Sequence, residues 1–488
     1  MTSTSPNINR WRAFALLAVS YFMTIIDLTI VTVSLPTIGR DLRFSETSLQ
    51  WVVTAYAITF GGFLLLGGRA ADLLGRRRLL MAGLAVFTTT SLACGLATSE
   101  AFLIGSRAVQ GVGAAIMVPA ALSIVMNMFE EGAERNKALG IWGALAAAGA
   151  TVGLIAGGIL TRYTGWQYIF YLNIPIGAAA LALTPRLVPD SRFATVRRRF
   201  DALGAVTSTG GLMLLVDAIA GAPQYGWGAT RTIALLAGSA ALLAAFAAIE
   251  SHANEPLLPL SIFRLRTLAG ANIAGLLSGG SFYAFVFVGT LYTQQVLHYS
   301  ALEAGIAWLV TSLTSVVLAG LSQRLVTRRG VKLVMTIGVT MIGAGVIWAS
   351  RLPVRGHFLA DLAGPMVMAG AGTAFAFIPI SIAALAGVPE HQAGLASGLL
   401  NTSRQFGGAI GISIASSVAT GHTNALLHAG NALPVALTSG FHRALWVLGA
   451  IALLALPAIF ALVRRDESPN TVAQTAIPDA PSVLASTN

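Results

Sequence analysis

Asp27 is a lone carboxylate inside the apolar run Ala13 to Leu35, where a charge is costly and marks a functional site by default. Its chemistry there reduces to ion pairing and reversible protonation: burial disfavours the ionised carboxylate, whereas a nearby arginine favours it. Arg107, in Gly105-Ser106-Arg107-Ala108-Val109-Gln110-Gly111, lies within another apolar run. Counting about 1.5 Å per residue, Arg107 is roughly 8 Å in from Phe102 and Asp27 roughly 12 Å back from Leu35. The two can therefore be neighbours, and a balance that shifts when the protein changes shape is what a proton-coupling group requires. A second intramembrane cation, Arg404, occurs in Asn401-Thr402-Ser403-Arg404-Gln405-Phe406-Gly407-Gly408 and must face a cavity or a partner. Asn401, Gln405 and Gly408 share a helical face there, so Asn401, Arg404 and Gln405 are candidates for contact with a substrate.

Other chemistries find little to work with. Cys94 is the single cysteine, so neither a disulfide framework nor a cysteine metal site is available. His422, His428 and His442 cluster in the loop expected before the last span, but their spacing is loose and no acids accompany them, which favours solvated histidines over a metal site. No Gly-rich nucleotide loop and no Ser-His-Asp arrangement is found. The chain is not expected to be an enzyme, and no cofactor or metal is implied. Asp217 falls near the end of an expected span and reads as peripheral.

The elements that carry these residues must lie in lipid. The chain has 488 residues, 55% of them hydrophobic and 10% charged, and a mean hydropathy of +0.75; a soluble domain carries about 25% charged residues. A helix needs about 20 apolar residues to cross the hydrocarbon, and about 14 runs qualify. Six occupy 13–187, two more centre on 202–219 and 232–249, and the last six occupy 268–463. The net charge of +11 would suit nucleic acid, but its cations fall between the apolar runs. With both termini cytoplasmic, Arg10, Arg12, Arg69, Arg76 to Arg78, Arg135, Lys137, Arg186, Arg192, Arg197 to Arg199, Arg264, Arg266, Arg324, Arg328, Arg329, Lys332, Arg464 and Arg465 are inside, and far fewer are outside. That asymmetry sets the orientation and accounts for the charge without nucleic acid. The apolar stretch after Arg12 is too long for a signal-peptide core and should remain as the first span.

The turn Gly68-Arg69-Ala70-Ala71-Asp72-Leu73-Leu74-Gly75-Arg76-Arg77 follows the second span, and Arg324 to Lys332 follows the tenth with Gly330 in the place of Gly75. Basic glycine turns at equivalent places imply two six-span halves with an extra pair of helices between them. The expected division is a cytoplasmic N-terminus over 1–12, a six-helix bundle over 13–187, linkers and two inserted helices over 188–266, a second bundle over 267–463, and a disordered cytoplasmic tail over 464–488.

With these motifs the chain resembles the major facilitator superfamily, and within it the 14-span drug:proton antiporter family of the EmrB/QacA type, over about Ala13 to Val463. The turn resembles the superfamily signature between spans two and three; the resemblance implies that Gly68, Asp72, Gly75, Arg76 and Arg77 latch the halves together in the outward-facing state. The Arg107 segment resembles the fourth-span motif assigned to proton coupling, with Asp27 in a first-span motif that carries Thr32 in place of the usual Asn. Gly149-Ala150-Thr151-Val152-Gly153-Leu154-Ile155-Ala156-Gly157-Gly158 resembles the fifth-span motif of exporters, with Leu154 replacing the usual proline. Its small residues at four-residue spacing also suit close helix packing. Trp166 to Gly177 matches the entry to the sixth span and reads as an interfacial aromatic belt.

The resemblance implies an all-α polytopic membrane protein of the plasma membrane that exports hydrophobic or amphipathic drugs, dyes or antibiotics in exchange for protons by alternating access. Expected partners are the small-molecule substrate, protons and membrane lipids, with a monomer as the working unit. A dedicated exporter or importer of a single metabolite is the alternative within the same superfamily.

Overall fold

The computed structural model describes residues 10–129, 133–188, 202–253, 256, 258–389 and 392–464. The described chain is helical, with no strand. Its elements run α1 (Arg10–Asp41), α2 (Glu46–Leu49), α3 (Trp51–Leu74), α4 (Arg76–Gly95), α5 (Glu100–Met128), α6 (Ala133–Tyr163), α7 (Gln167–Tyr171), α8 (Asn173–Leu187), α9 (Ala202–Tyr225) and α10 (Thr230–His252). After a short 3-10 turn come α11 (Arg266–Leu291), extended by a π turn (Tyr292–Val296), α12 (Ala301–Arg329), α13 (Val331–Ala349), a second π turn (Phe358–Leu362), α14 (Ala363–Leu385), α15 (Ala393–His428), α16 (Leu433–Leu453) and α17 (Ala455–Leu462).

Among the described residues, twelve helices are long and apolar enough to cross a membrane. α6 and α15 are not in that set although they have 31 and 36 residues. Both are rich in Gly and Ala, which let their neighbours approach closely. α15 runs to His428, well beyond the expected end of its span near Val418, so His422 and His428 are helical rather than in a loop, and His442 lies inside α16. His422 bonds Ser439 and Arg443, and His442 contacts the Leu352 carbonyl; no group of His, Cys, Asp or Glu among the described residues could hold a metal.

Local sequence sets the helix ends. Ser300 caps α12 by accepting from the Glu303 amide, while Glu303 takes the Ser300 amide at 2.8 Å, a reciprocal pair that satisfies two otherwise orphaned donors. The basic turns at α3–α4 and α12–α13 each pivot on a glycine in the left-handed region, Gly75 at φ 98° and Gly330 at φ 82°, where a Cβ is penalised.

Packing divides the helices into two groups. α1 and α3 to α8 pack mainly on one another, as do α11 to α17. The groups meet along two seams, α6 with α12 and α3 with α15. α9 lies across the second seam: Thr209 presses on Gly62 of α3, and Ser413 of α15 donates to the Val216 carbonyl at 3.1 Å. α10 is packed on α9 and otherwise largely exposed.

The largest buried cluster shared by the two groups lies towards one end. Ile30, Val33 and Leu154 share a cluster with Phe287, Tyr292 and Trp308. There Gln294 donates to the Val33 carbonyl at 2.7 Å, Arg162 donates to Ser300 at 3.2 Å, and Gly158 lies against Ala301 and Leu302. At the other end of the first group, Phe14, Leu80, Met117 and Val125 form a separate core, and Val316, Val317 and Leu321 of α12 are exposed.

Candidate functional site

Asp27 is fully buried inside the first helix group and is bound from three sides. Arg107 Nη1 donates to its Oδ2, and both Gln110 Nε2, at 3.0 Å, and Asn173 Nδ2, at 2.9 Å, donate to its Oδ1. Arg107 also donates to Gln110 Oε1 at 2.6 Å and, through Nε, to the Val52 carbonyl at 2.9 Å. Its guanidinium lies 4.3 Å from the Tyr56 ring centroid, within the range of a cation–π contact. Gln110 Nε2 donates onward to Ser91 at 2.7 Å. α1, α3, α4, α5 and α8 thus converge on one carboxylate.

The pair is electrically neutral, and the amide donors occupy the lone pairs that the arginine leaves free. Arg107 Nη2 and Tyr56 Oη are buried without a hydrogen-bond partner, which leaves the network with unspent donor capacity. Removing either charge would strand the other in a low-dielectric interior, a change that typically costs about 3–5 kcal/mol. The sequence points to Asp27 and Arg107 by their charge; Gln110, Asn173, Ser91 and Tyr56 escaped it because neutral polar residues are common in spans. Gln110 had one signal, its place three residues after Arg107 on the same helix face, whereas Asn173 was hidden in a segment read as an aromatic belt.

Asp27 does not line the space between the helix groups; its neighbours do. Leu28, Thr29 and Thr32 of α1 border a cavity of about 120 Å³, with Ala57 of α3 and Leu154 of α6 on the same side. Phe282, Tyr283 and Phe287 of α11, Trp308 of α12, and Gln405 and Gly408 of α15 close it from the other group. No charged side chain is among the lining residues. The arrangement places a titratable carboxylate one residue from a mostly apolar, aromatic pocket, so a change in one can be felt by the other through α1.

The remaining expected residues are distributed as follows. Gly149, Gly153 and Gly157 form a stripe against Phe22, Ile25, Thr29 and Ile30 of α1, and Gly158 meets α12; these glycines bring α6 close to α1 and to the second group. α6 is continuous through Leu154, whose carbonyl abuts Gly305. At the basic turn Arg77 donates to the Val188 carbonyl at 3.2 Å and Arg69 to the Pro256 carbonyl at 3.1 Å, while Gly68 approaches Pro119 loosely. The close approach is at Gly67, where a Cβ would collide with the Ala115 carbonyl, a position the sequence did not single out. Arg76 belongs to the same turn, and the Asp72 side chain lies outside the described residues. Asn401 is exposed and spends its amide on the Ser397 carbonyl, so of the three candidates on α15 Gln405 lines the cavity and Asn401 does not. Arg404 bonds the Phe377 carbonyl and Ser381 beside the cavity. Asp217 pairs with Arg231 at 3.2 Å on the exposed end of α9 and α10.

Known proteins resemble this chain in sequence and in fold. The family model described as Major Facilitator Superfamily matches residues 17–412. The chain is 38% identical over 414 residues to the cephamycin export protein CmcT of Amycolatopsis lactamdurans, covering 84% of this chain and 85% of the relative. It is 36% identical over 476 residues to the puromycin resistance protein pur8 of Streptomyces alboniger, covering 96% and 94%. Among solved structures, the POT family transporter PepTSo superposes with a TM-score of 0.66 at 13% identity, covering 96% of this chain and 99% of that one; at that identity the likeness speaks for the fold.

Proposed function

The chain belongs to the Major Facilitator Superfamily, and from that premise we propose that it exports amphipathic antibiotics or related drugs across the plasma membrane in exchange for protons. The roles named for its relatives, cephamycin export and puromycin resistance, support the cargo class. The observation that carries the mechanism is the position of Asp27: sealed from the cavity, tied to Arg107, and adjacent along α1 to the cavity-lining Leu28 and Thr29.

In this reading α6 and α15 also span the bilayer, giving 14 spans in two six-helix bundles, with α9 and α10 as the inserted pair. Their length and their packing along both seams support that count, and the clustering of arginines at the α3–α4 and α12–α13 turns supports cytoplasmic termini. The joined end of the core is then extracellular and the structure faces inward. We keep the division into 13–187, 188–266 and 267–463, with the packing groups as support. Gly68, Asp72, Gly75, Arg76 and Arg77 serve as the conformational latch of the outward-facing state.

Transport proceeds by rocking of the two groups around the cavity. With the site open outward, Asp27 takes a proton; the ion pair with Arg107 weakens and the Gln110 and Asn173 amides must find other acceptors. That rearrangement of α1, α5 and α8 reshapes the cavity wall at Leu28 and Thr29 and releases cargo. Return inward restores the pair and delivers the proton to the cytoplasm.

The test is cargo uptake into inverted vesicles with and without a protonophore, for the wild type and for Asp27→Asn. We expect protonophore-sensitive uptake in the wild type and its loss in the variant at equal expression. Surviving proton-driven uptake in the variant would move coupling to another residue.

A further inference from the structure

Arg404 is a cation without a counter-ion. Its guanidinium donates to the Phe377 carbonyl at 3.0 Å and to Ser381 Oγ at 3.1 Å and lies 4.9 Å from the Phe377 ring centroid. Both oxygens are neutral. Its Nε is buried with no partner, and among the described residues no carboxylate pairs with it. Arg107, by contrast, has Asp27. A cation held in lipid without an anion is an expensive arrangement that calls for a partner.

The surroundings say what that partner is. Gly275 and Gly279 of α11 leave room along the arginine stem, where an added Cβ would meet it only at ordinary van der Waals distance. Tyr283 of the cavity wall and Tyr21 of the other helix group lie within Coulombic reach of the guanidinium, and Tyr21 is stacked on Trp142 of α6 at 4.3 Å. Gln405, the next residue along α15, lines the cavity itself. Asp27, the acid paired with Arg107, turns into the first group and has both oxygens engaged. The apolar, aromatic pocket between the groups therefore lies beside one uncompensated positive charge of the second group.

We propose that Arg404 binds the carboxylate of an amphipathic anionic substrate whose apolar body occupies the cavity lined by Phe282, Tyr283 and Trp308. A guanidinium with free N–H groups suits a carboxylate, which it can meet with paired hydrogen bonds. A cationic dye meets repulsion at the same place. The inference rests on the export reading but concerns binding alone, so it is tested without any gradient.

The experiment is equilibrium binding to the purified full-length protein in neutral detergent, with fluorescein and rhodamine 6G as xanthene dyes of opposite charge. The wild type is expected to bind fluorescein more tightly. Arg404→Gln is expected to lose at least tenfold in fluorescein affinity with rhodamine 6G unchanged or tighter, and Arg404→Lys to retain part of the affinity. Ser381→Asp keeps the arginine and places a carboxylate beside it; the same selective loss is expected there, in a protein whose buried charge is now paired. Equal weakening of both dyes, no binding of fluorescein by the wild type, or a preference for rhodamine 6G would overturn the proposal. So would displacement of fluorescein by phosphatidylglycerol but not by phosphatidylcholine, which would assign the cation to a lipid headgroup. Failure of proton-driven uptake with this binding intact would count against the export mechanism and leave the site standing.

Discussion

Asn173 donates to Asp27 Oδ1 at 2.9 Å, so the first residue of α8 is bound to the middle of α1 across 146 positions of sequence. Gln110 reaches the same oxygen. A carboxylate can accept from both amides and from Arg107, whereas a protonated carboxyl has less acceptor capacity. The contact between α8 and α1 is consequently coupled to the protonation of one side chain.

Asn173→Ala should make that coupling visible. A hydrogen bond to a charged group contributes about 1.5–3 kcal/mol, so proton-driven uptake is expected to fall at least several-fold at equal expression, with binding of cargo retained. Unchanged uptake with reduced folding yield would show that Asn173 only holds the helices together.

Gly67 and Gly105 make a matched pair for packing. A side chain at Gly67 runs into the Ala115 carbonyl, whereas Gly105 has nothing within 4 Å. Gly67→Val is expected to destabilise the fold by about 1–3 kcal/mol, read as a lower melting temperature in detergent, and Gly105→Ala to leave it unchanged. Equal melting of the two variants would mean that α3 and α5 can separate freely.

The contact of Arg162 with Ser300 joins the helix groups at the end assigned to the outside. An exposed hydrogen bond is worth about 1 kcal/mol, or roughly fivefold in a two-state equilibrium. In a Cys94→Ser background with Thr311→Cys in the cavity, Arg162→Ala is expected to raise labelling by an impermeant maleimide from outside several-fold. Labelling that falls would reverse the assignment of the closed side.

Charge and hydropathy made much of this legible. Asp27 and Arg107 stood out because a formal charge in an apolar run is rare, and the end of the eleventh span was readable because Gly330 and Ala349 bound α13 closely. The neutral members of the network were not, since Ser91, Gln110 and Asn173 are ordinary in composition and acquire meaning only when three helices meet. α15 extended past its expected end because Thr420, Thr423 and His422 lower hydropathy without breaking a helix. The orientation of Asp27 away from the cavity was likewise beyond a pattern that fixes depth but not the rotation of one helix against the next.

Finally, α9 touches α3 and α15 at once through Thr209 and Val216. Seen from above the bilayer, the molecule then has a front and a back. On one flank the join is caulked by an extra helix, with α10 as a second layer behind it. Among the described residues the α6–α12 join has no such second layer, so the two flanks of the molecule differ within the membrane plane.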